Sequence, residues 1–204
     1  KPDPTILTRK LGVDYEIMNT NIKRWSVGSP IQAPLDSLMD LIREHAIKAD
    51  DVQRVVVRVA HQGANTVDNR VMPDICLQHM CAIMLIDGKV TFASSHDEKR
   101  MRDRKVLALR NRIELRGDDT LSAAMPSRQG IVEITLRDGR EFKHHTKAVR
   151  GSAENPMTRG EVDEKCYDLI APVLGSTRAR KLCDTVWHLE KVSAARALRP
   201  LLRA

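Results

Sequence analysis

The stretch 130-GIVEITLRDGREFKHHTKAV-149 carries the most definite structural signal in this 204-residue chain. Val132, Ile134 and Leu136 alternate with polar or charged residues, as expected of a strand with one buried face. The dipeptide Asp138-Gly139 favours a two-residue type I′ turn. The segment therefore predicts a β-hairpin.

Further strands are indicated on the N-terminal side of this hairpin. Residues 52–60 alternate arginine with valine, which predicts a half-buried strand, and residues 112–116 predict a short one. Looser alternation over residues 13–25 and the short segment 89–92 are also typical of strands.

Helical periodicity fills the gaps between these strands. Apolar residues recur at helical spacing over residues 35–46, 75–86 and 96–109, and Pro34 suits the first turn of the first helix. The polar segment 61–74 predicts a loop. The mixture predicts an α+β fold, in which helices pack on a small sheet.

The pattern changes after residue 150. Thr158 and Glu161 have the spacing of a capping box, and Gly175 separates two helical patterns. Helices are predicted over residues 159–171, 177–189 and 193–202. We therefore predict an α+β unit over residues 1–150 and a helical tail over residues 151–204, whose amphipathic helices need a packing partner.

Composition argues against two large classes of partner. The formal net charge is +7, but lysine and arginine are spread along the chain, and aromatic residues make up only 3%. A nucleic-acid-binding surface with stacked bases is therefore not expected. The longest apolar run, residues 80–86, is far too short to span a membrane.

The four cysteines predict buried free thiols. Each lies in an apolar helical pattern, none forms a C-x-x-C pair, and none has the histidine spacing of a zinc site. The chain has no glycine-rich phosphate loop and no cluster of metal ligands in sequence. We therefore predict a reducing, cytoplasmic compartment and no metal site.

Four motifs occur in a fixed order along the chain. They are IKRW…IQAPLD from Ile22, DICLQHM…LIDGKVTF from Asp74, IVEITLRDGREF from Ile131 and RGSAENPMTRGEVDEKCYDLIAPVLG from Arg150. Together they resemble the C-terminal part of the MmgE/PrpD family, over about residues 5–190. The most specific of them is the pattern G-x-x-x-N-P-[MLT]-T-x-x-E-[VL]-x-x-K, which ends at Lys165.

The resemblance implies an architecture. Members of the family have a large helical domain, formed mostly by the N-terminal half, and a smaller α+β domain that acts as a lid. Residues 1–150 would be that lid, and residues 151–204 would return to the helical domain. Together with the start at Lys1, this predicts a piece of a longer chain that packs on its own N-terminal helical domain and forms a homodimer.

The resemblance also implies a chemistry. The family includes 2-methylcitrate dehydratase, cis-aconitate decarboxylase and iminodisuccinate epimerase, which act on small di- or tricarboxylic acids without a cofactor. Such a lyase or isomerase needs a base at the carbon next to a carboxylate, and cations that offset negative charge. Because the groups must lie on two sides of the substrate, the 204 residues alone are predicted to be inactive.

Two residues are predicted to be catalytic on the same resemblance. Lys23 falls at the lysine of a K-x-[YFW] motif, where it would hold a carboxylate or donate a proton. His79 falls at a helix start where many relatives carry tyrosine or histidine. The alternatives are a surface lysine at a strand end and a hydrogen-bonded core histidine.

Four more residues are predicted to bind substrate. Gln32 lies where many relatives have a histidine nearby, and an amide can hold a carboxylate but cannot move a proton. Arg70 could bind a carboxylate in bidentate fashion. Asp74 could cap the helix or orient His79, and Gln78 lies beside them. The other histidines are assigned structural roles.

The glutamine at position 32 leaves a second function open. A catalytically inactive binding or regulatory module could keep the MmgE/PrpD fold after losing the imidazole of this loop. Turnover of carboxylic acids by the full-length protein, and the effect of replacing Lys23, would separate the two.

Overall fold

The computed structural model of the protein describes residues 3–203. At its centre lies a four-stranded sheet of order β2-β1-β3-β4. Strand β1 is parallel to β2 and antiparallel to β3, which pairs antiparallel with β4. The strands are β1 (Val52–Ala60), β2 (Ile113–Asp118), β3 (Gly130–Leu136) and β4 (Glu141–Thr146). This mixed sheet and its packed helices confirm the α+β class.

The alternation in β1 explains the two unlike faces of the sheet. Val55, Val57 and Val59 are buried on one face. On the other face, Arg58 meets Glu133 of β3 at 3.4 Å, and Arg54 pairs with Glu114 of β2. The charged face therefore stays toward solvent while the valine face forms the core.

Helices cover the valine face. Helix α1 (Gln32–His45) contacts β3, β4 and helix α3 (Leu77–Asp87), and α3 also contacts β2 and α5 (Arg104–Arg110). Every residue of α3 from Leu77 to Leu85 is buried, so this helix is the centre of the core. The short helices are α2 (His61–Val67), α4 (Phe92–Ser95) and α6 (Asp119–Ala123).

The predicted helical tail is confirmed in its first two helices. Helix α7 (Arg159–Leu174) begins with the predicted capping box, in which Thr158 Oγ1 accepts from Glu161 N at 3.3 Å. Helix α8 (Ser176–Trp187) follows Gly175. The third segment is a 3-10 helix over Ala195–Leu201 rather than an α-helix, and it contains Pro200, which has no N–H to donate. The division into two units at residue 150 stays a prediction.

Two predicted strands are wrong. Residues 13–25 contain a 3-10 turn at Glu16–Asn19 and no strand, and residues 13–23 are exposed, so no buried face supports the predicted alternation. In residues 89–92, Thr91 caps α4 instead, because its Oγ1 accepts from Ser94 N at 3.1 Å. Capping by Thr91 therefore decides the local structure, because a run of only four residues has a weak preference for a strand.

Two helix boundaries also differ from the predictions. The predicted loop 61–74 begins with α2, whose narrow apolar stripe of Gly63, Ala64 and Val67 is too short to show a clear period. The predicted helix 96–109 is divided at Asp103, whose carboxylate accepts from Val106 N at 3.0 Å and so starts α5.

The hairpin is confirmed, but its turn is not type I′. Of the turn residues only Gly139 has a positive φ, of 87°. Gly139 N donates to Leu136 O at 3.0 Å, and Leu136 N donates to Arg140 O at 2.9 Å. The connection is therefore a three-residue loop with a glycine bulge, which matches the strand twist with one left-handed residue instead of two.

Candidate functional site

The loop that precedes α1 is held in place by the side chain of Gln32. Its Oε1 accepts from Trp25 N at 3.1 Å, and its Nε2 donates to Trp25 O at 2.8 Å and to Val27 O at 3.2 Å. The side chain is only 4% exposed. The amide that was predicted to bind substrate is thus occupied by the loop backbone, where it fixes the shape of residues 25–27.

Lys23 reaches the same part of the loop. Its Nζ donates to Val27 O at 3.3 Å, the carbonyl that Gln32 also bonds. The residue itself is exposed. Since an ammonium group has three N–H donors, two of them have no partner within residues 3–203. The structure therefore brings Lys23 and Gln32 together on one carbonyl oxygen.

The substitution Gln32→Glu tests this clamp. The new carboxylate would still accept from Trp25 N but would face the carbonyls of Trp25 and Val27 with no proton to donate. We expect a loss of about 2 kcal/mol in the free energy of unfolding at pH 7, measured by urea titration with tryptophan fluorescence. The exposed Gln53 offers a matched control, and equal losses in Gln53→Glu and Gln32→Glu would contradict the clamp.

A backbone hydrogen bond joins this loop to the start of α3. Gly28 N donates to Asp74 O at 2.9 Å, in the 3-10 turn that precedes the helix. Gly28 and Ile75 both line a cavity of about 260 Å³. Its polar side chains are Ser29, Gln62, Thr66, Arg128 and Gln129. The Asp74 side chain does not cap α3, whose N-cap position is Cys76.

Gln78 and Arg70 stabilise the C-terminal end of α2 and the residues that follow it. Gln78 is buried, its Nε2 donates to Asp68 Oδ1 at 2.6 Å, and its Oε1 accepts from Asn69 N at 3.0 Å. Arg70 Nε donates to Thr66 O at 2.8 Å, which caps the end of that helix. Both polar groups are therefore engaged in local structure.

The His79 side chain forms no hydrogen bond with the other predicted residues. It is fully buried, and neither ring nitrogen has a hydrogen-bond partner within residues 3–203, so Asp74 does not orient it. Burial first, and then the charges of Arg110 and Arg100, lower the pKa of His79 to about 4, although Asp97 opposes them. The imidazole is therefore neutral at pH 7 and faces the arginine-bearing segments around α5.

Sequence reasoning missed an ionic network at the start of the tail. The Arg150 guanidinium donates to Glu161 at 3.0 Å and to Asn155 at 2.7 Å, and Arg150 N donates to Asp36 Oδ2 at 2.8 Å. Asp36 Oδ1 accepts from Trp25 Nε1 at 2.9 Å. The network ties α7 to α1 and to the lysine-bearing loop, and its members lie in the motifs IQAPLD and RGSAENPMTRGE, which were the available signal.

The pKa values of two carboxyl groups in the network are shifted in opposite directions. Burial raises the pKa of Asp36, whereas the hydrogen bonds from Arg150 lower the pKa of Glu161 to about 2.

Within residues 3–203, no three histidine, cysteine or acidic side chains are placed to hold a metal ion. None of the helices in the same range is long and apolar enough to cross a membrane.

The α+β sheet with its packed helices and helical tail is the fold of a known family of protein domains. Residues 25–191 match the MmgE/PrpD C-terminal domain, and the chain belongs to the MmgE/PrpD family. It is also similar to the 2-methylcitrate dehydratase-like protein oryR of Aspergillus oryzae (strain ATCC 42149 / RIB 40), with 29% identity over 131 residues. The match covers 60% of this chain and 26% of that relative, so it spans about a quarter of the relative's length.

Proposed function

We propose that this chain is part of a lyase or isomerase that acts on small di- or tricarboxylic acids, at the carbon next to a carboxylate. Dehydration in the manner of 2-methylcitrate dehydratase, decarboxylation and epimerisation all fit this description. Membership of the MmgE/PrpD family supports the class. The observation that carries the proposal is that the Lys23 ammonium donates to Val27 O while its two other N–H groups have no partner within residues 3–203.

Lys23 would act as the cation that such chemistry needs. Removing a proton beside a carboxylate, or placing one there, develops negative charge, which a positioned ammonium stabilises. The two remaining N–H groups can form charge-assisted hydrogen bonds to a carboxylate. Gln32 would serve indirectly in this proposal, because it holds the carbonyl to which Lys23 is bonded.

His79 is the proposed acid/base group of this chain. Its pKa of about 4 keeps the ring neutral at pH 7, so it has the lone pair that a proton acceptor needs, although it is a weak base at this pH. Because the ring is enclosed, a substrate would reach it only after α3 moves relative to the segments that carry Arg100 and Arg110. Arg70, Asp74 and Gln78 would shape this helix start around the substrate.

The remaining proposals concern the whole protein. Residues 1–150 would form a lid, and the tail would dock on an N-terminal helical domain in a homodimer. An acid/base site with groups on both sides of the substrate would then form only in the full-length protein.

The test is turnover by the full-length protein with 2-methylcitrate, cis-aconitate and iminodisuccinate as substrates. We expect activity on at least one, and a tenfold to hundredfold lower kcat/KM in Lys23→Met, because one charge-assisted contact is lost. Lys181→Met, an exposed lysine on α8, is the matched control and should behave as wild type. No turnover, with carboxylate binding unchanged in Lys23→Met, would instead favour an inactive binding module.

A further inference from the structure

Lys165 of α7 is a half-buried ammonium group without a carboxylate partner. Its Nζ donates to Ser26 Oγ at 3.5 Å, and within residues 3–203 it forms no salt bridge at 4.0 Å or less. A buried charge of this kind is costly unless it is paired. A purely structural position would be better filled by an apolar side chain.

Lys165 and Lys23 hold adjacent residues of one loop. Lys165 donates to the Ser26 hydroxyl, and Lys23 donates to the Val27 carbonyl. Burial first lowers the pKa of Lys165, and the positive charge of Lys23 lowers it further, against the opposing effects of Cys166 and Asp168. The two ammonium groups are therefore bonded to adjacent residues of the same loop, Ser26 and Val27.

The surroundings of Lys165 leave room for an anion. Lys165 and Ser26 line a cavity of about 380 Å³, together with the cationic side chains of Arg24, Arg43 and Lys89. Two of its three carboxylates are already engaged. Asp168 accepts from Phe92 N at 2.7 Å, and Glu161 is bound by Arg150. The third, Glu164, is exposed.

We propose that Lys165 and Lys23 form a paired-ammonium site that binds one carboxylate of a di- or tricarboxylic acid between α7 and the loop of residues 23–27. This inference rests on the proposed function and deepens it, because it assigns a second substrate-binding lysine. An anion placed between the two ammonium groups would offset both positive charges and use N–H donors that have no partner among residues 3–203. A second carboxylate of the same molecule then remains free to bind other groups of the protein.

The site also connects substrate binding to the position of the tail. Lys165 lies on the helix whose first turn is held by the Arg150 network, whereas Lys23 lies on the loop held by Gln32. A carboxylate bound by both lysines would add a direct link between these two segments.

Calorimetric titration of the 204-residue chain with tricarballylate, an unreactive tricarboxylic acid, tests the site. We expect Lys165→Met to weaken binding about tenfold or more at constant ionic strength, because one charge-assisted contact is lost. Methionine keeps the unbranched stem and removes the unpaired charge, so the free energy of unfolding should stay equal or rise. Lys165→Arg should retain part of the affinity, and Lys181→Met should bind as wild type does.

The outcomes separate this inference from the proposed function. Wild-type affinity in Lys165→Met, or no binding by the wild type, would overturn the paired site. If Lys23→Met abolishes turnover in the full-length protein while Lys165→Met binds and turns over normally, the proposed function stands and this inference fails. If tricarballylate binding depends on Lys165 but no carboxylic acid is turned over, the site stands and the proposed reaction fails. If Lys165→Met lowers the free energy of unfolding by as much as it weakens the free energy of binding, Lys165 has only a structural role.

Discussion

Acidification from pH 6.5 to pH 4 is expected to lower the free energy of unfolding by about 3 kcal/mol through His79 alone. The ordinary pKa of 6.5 applies to the unfolded chain, and burial lowers the pKa to about 4 in the folded protein. Between these values the unfolded state binds a proton that the folded state does not. Stability is therefore fully present above pH 6.5 and is lost as the pH falls toward 4.

The measurement is a series of urea titrations across this pH range on the wild type and on His79→Leu. The variant should lack the His79 contribution, so the difference between the two curves isolates it from His145, whose pKa burial also lowers, and from the acidic side chains. At pH 7 the variant should be at least as stable as wild type, because neither ring nitrogen has a hydrogen bond to lose. Parallel pH curves for the two proteins would contradict the buried, unpartnered imidazole.

Replacement of Gly151 by alanine is expected to cost about 4 kcal/mol or more, the largest effect among the glycine-to-alanine replacements. Gly151 has a φ of 98°, which L-residues rarely adopt, and a Cβ atom there would overlap the carbonyl oxygen of Ile22. Gly151 O accepts from Ile22 N at 2.8 Å, and Gly151 N donates to Asn155 O at 2.8 Å. The backbone cannot move without breaking one of these bonds, so strain and overlap add together.

The hairpin glycine provides the control for this substitution. Gly139 also has a positive φ, of 87°, but a Cβ atom there meets nothing within 4 Å. Gly139→Ala should therefore cost only the backbone strain, about 1–2 kcal/mol. Thermal or urea unfolding of both variants compares the two costs directly, and equal losses would show that the contact with Ile22 adds nothing.

Periodicity predicted the parts of the fold in which tertiary burial and local pattern agree. The alternation in β1 and the hairpin, and the helical spacing in α1, α3 and α7, all reappear in the structure. Two of the failures lie where a single side chain decides the local structure. Thr91 and Asp103 start helices by accepting backbone N–H groups, an interaction that leaves no periodic signal.

The motifs named the residues of the candidate site, but not the hydrogen bonds that those residues form. In the structure, the bond from Gly28 N to Asp74 O joins the Lys23 loop to the segment that contains Asp74. The motifs could not show that the side-chain amides of Gln32 and Gln78 are hydrogen-bonded to the backbone and to neighbouring side chains. An amide in sequence looks the same whether it serves a ligand or its own loop, because only the folded backbone decides which acceptor is nearer.

The position of β1 in the sheet has a consequence for synthesis. Val55 pairs with Ile113 on one side and with Ile134 on the other, so β1 leaves the ribosome well before either of its neighbours. At about 5–20 residues per second, its valine-rich run waits several seconds without a partner. Arg54 and Arg58 interrupt that run with positive charge, which would reduce self-association of the nascent chain during this interval. Apolar replacements at these two arginines would therefore lower the yield of folded protein more than they would lower its stability once made.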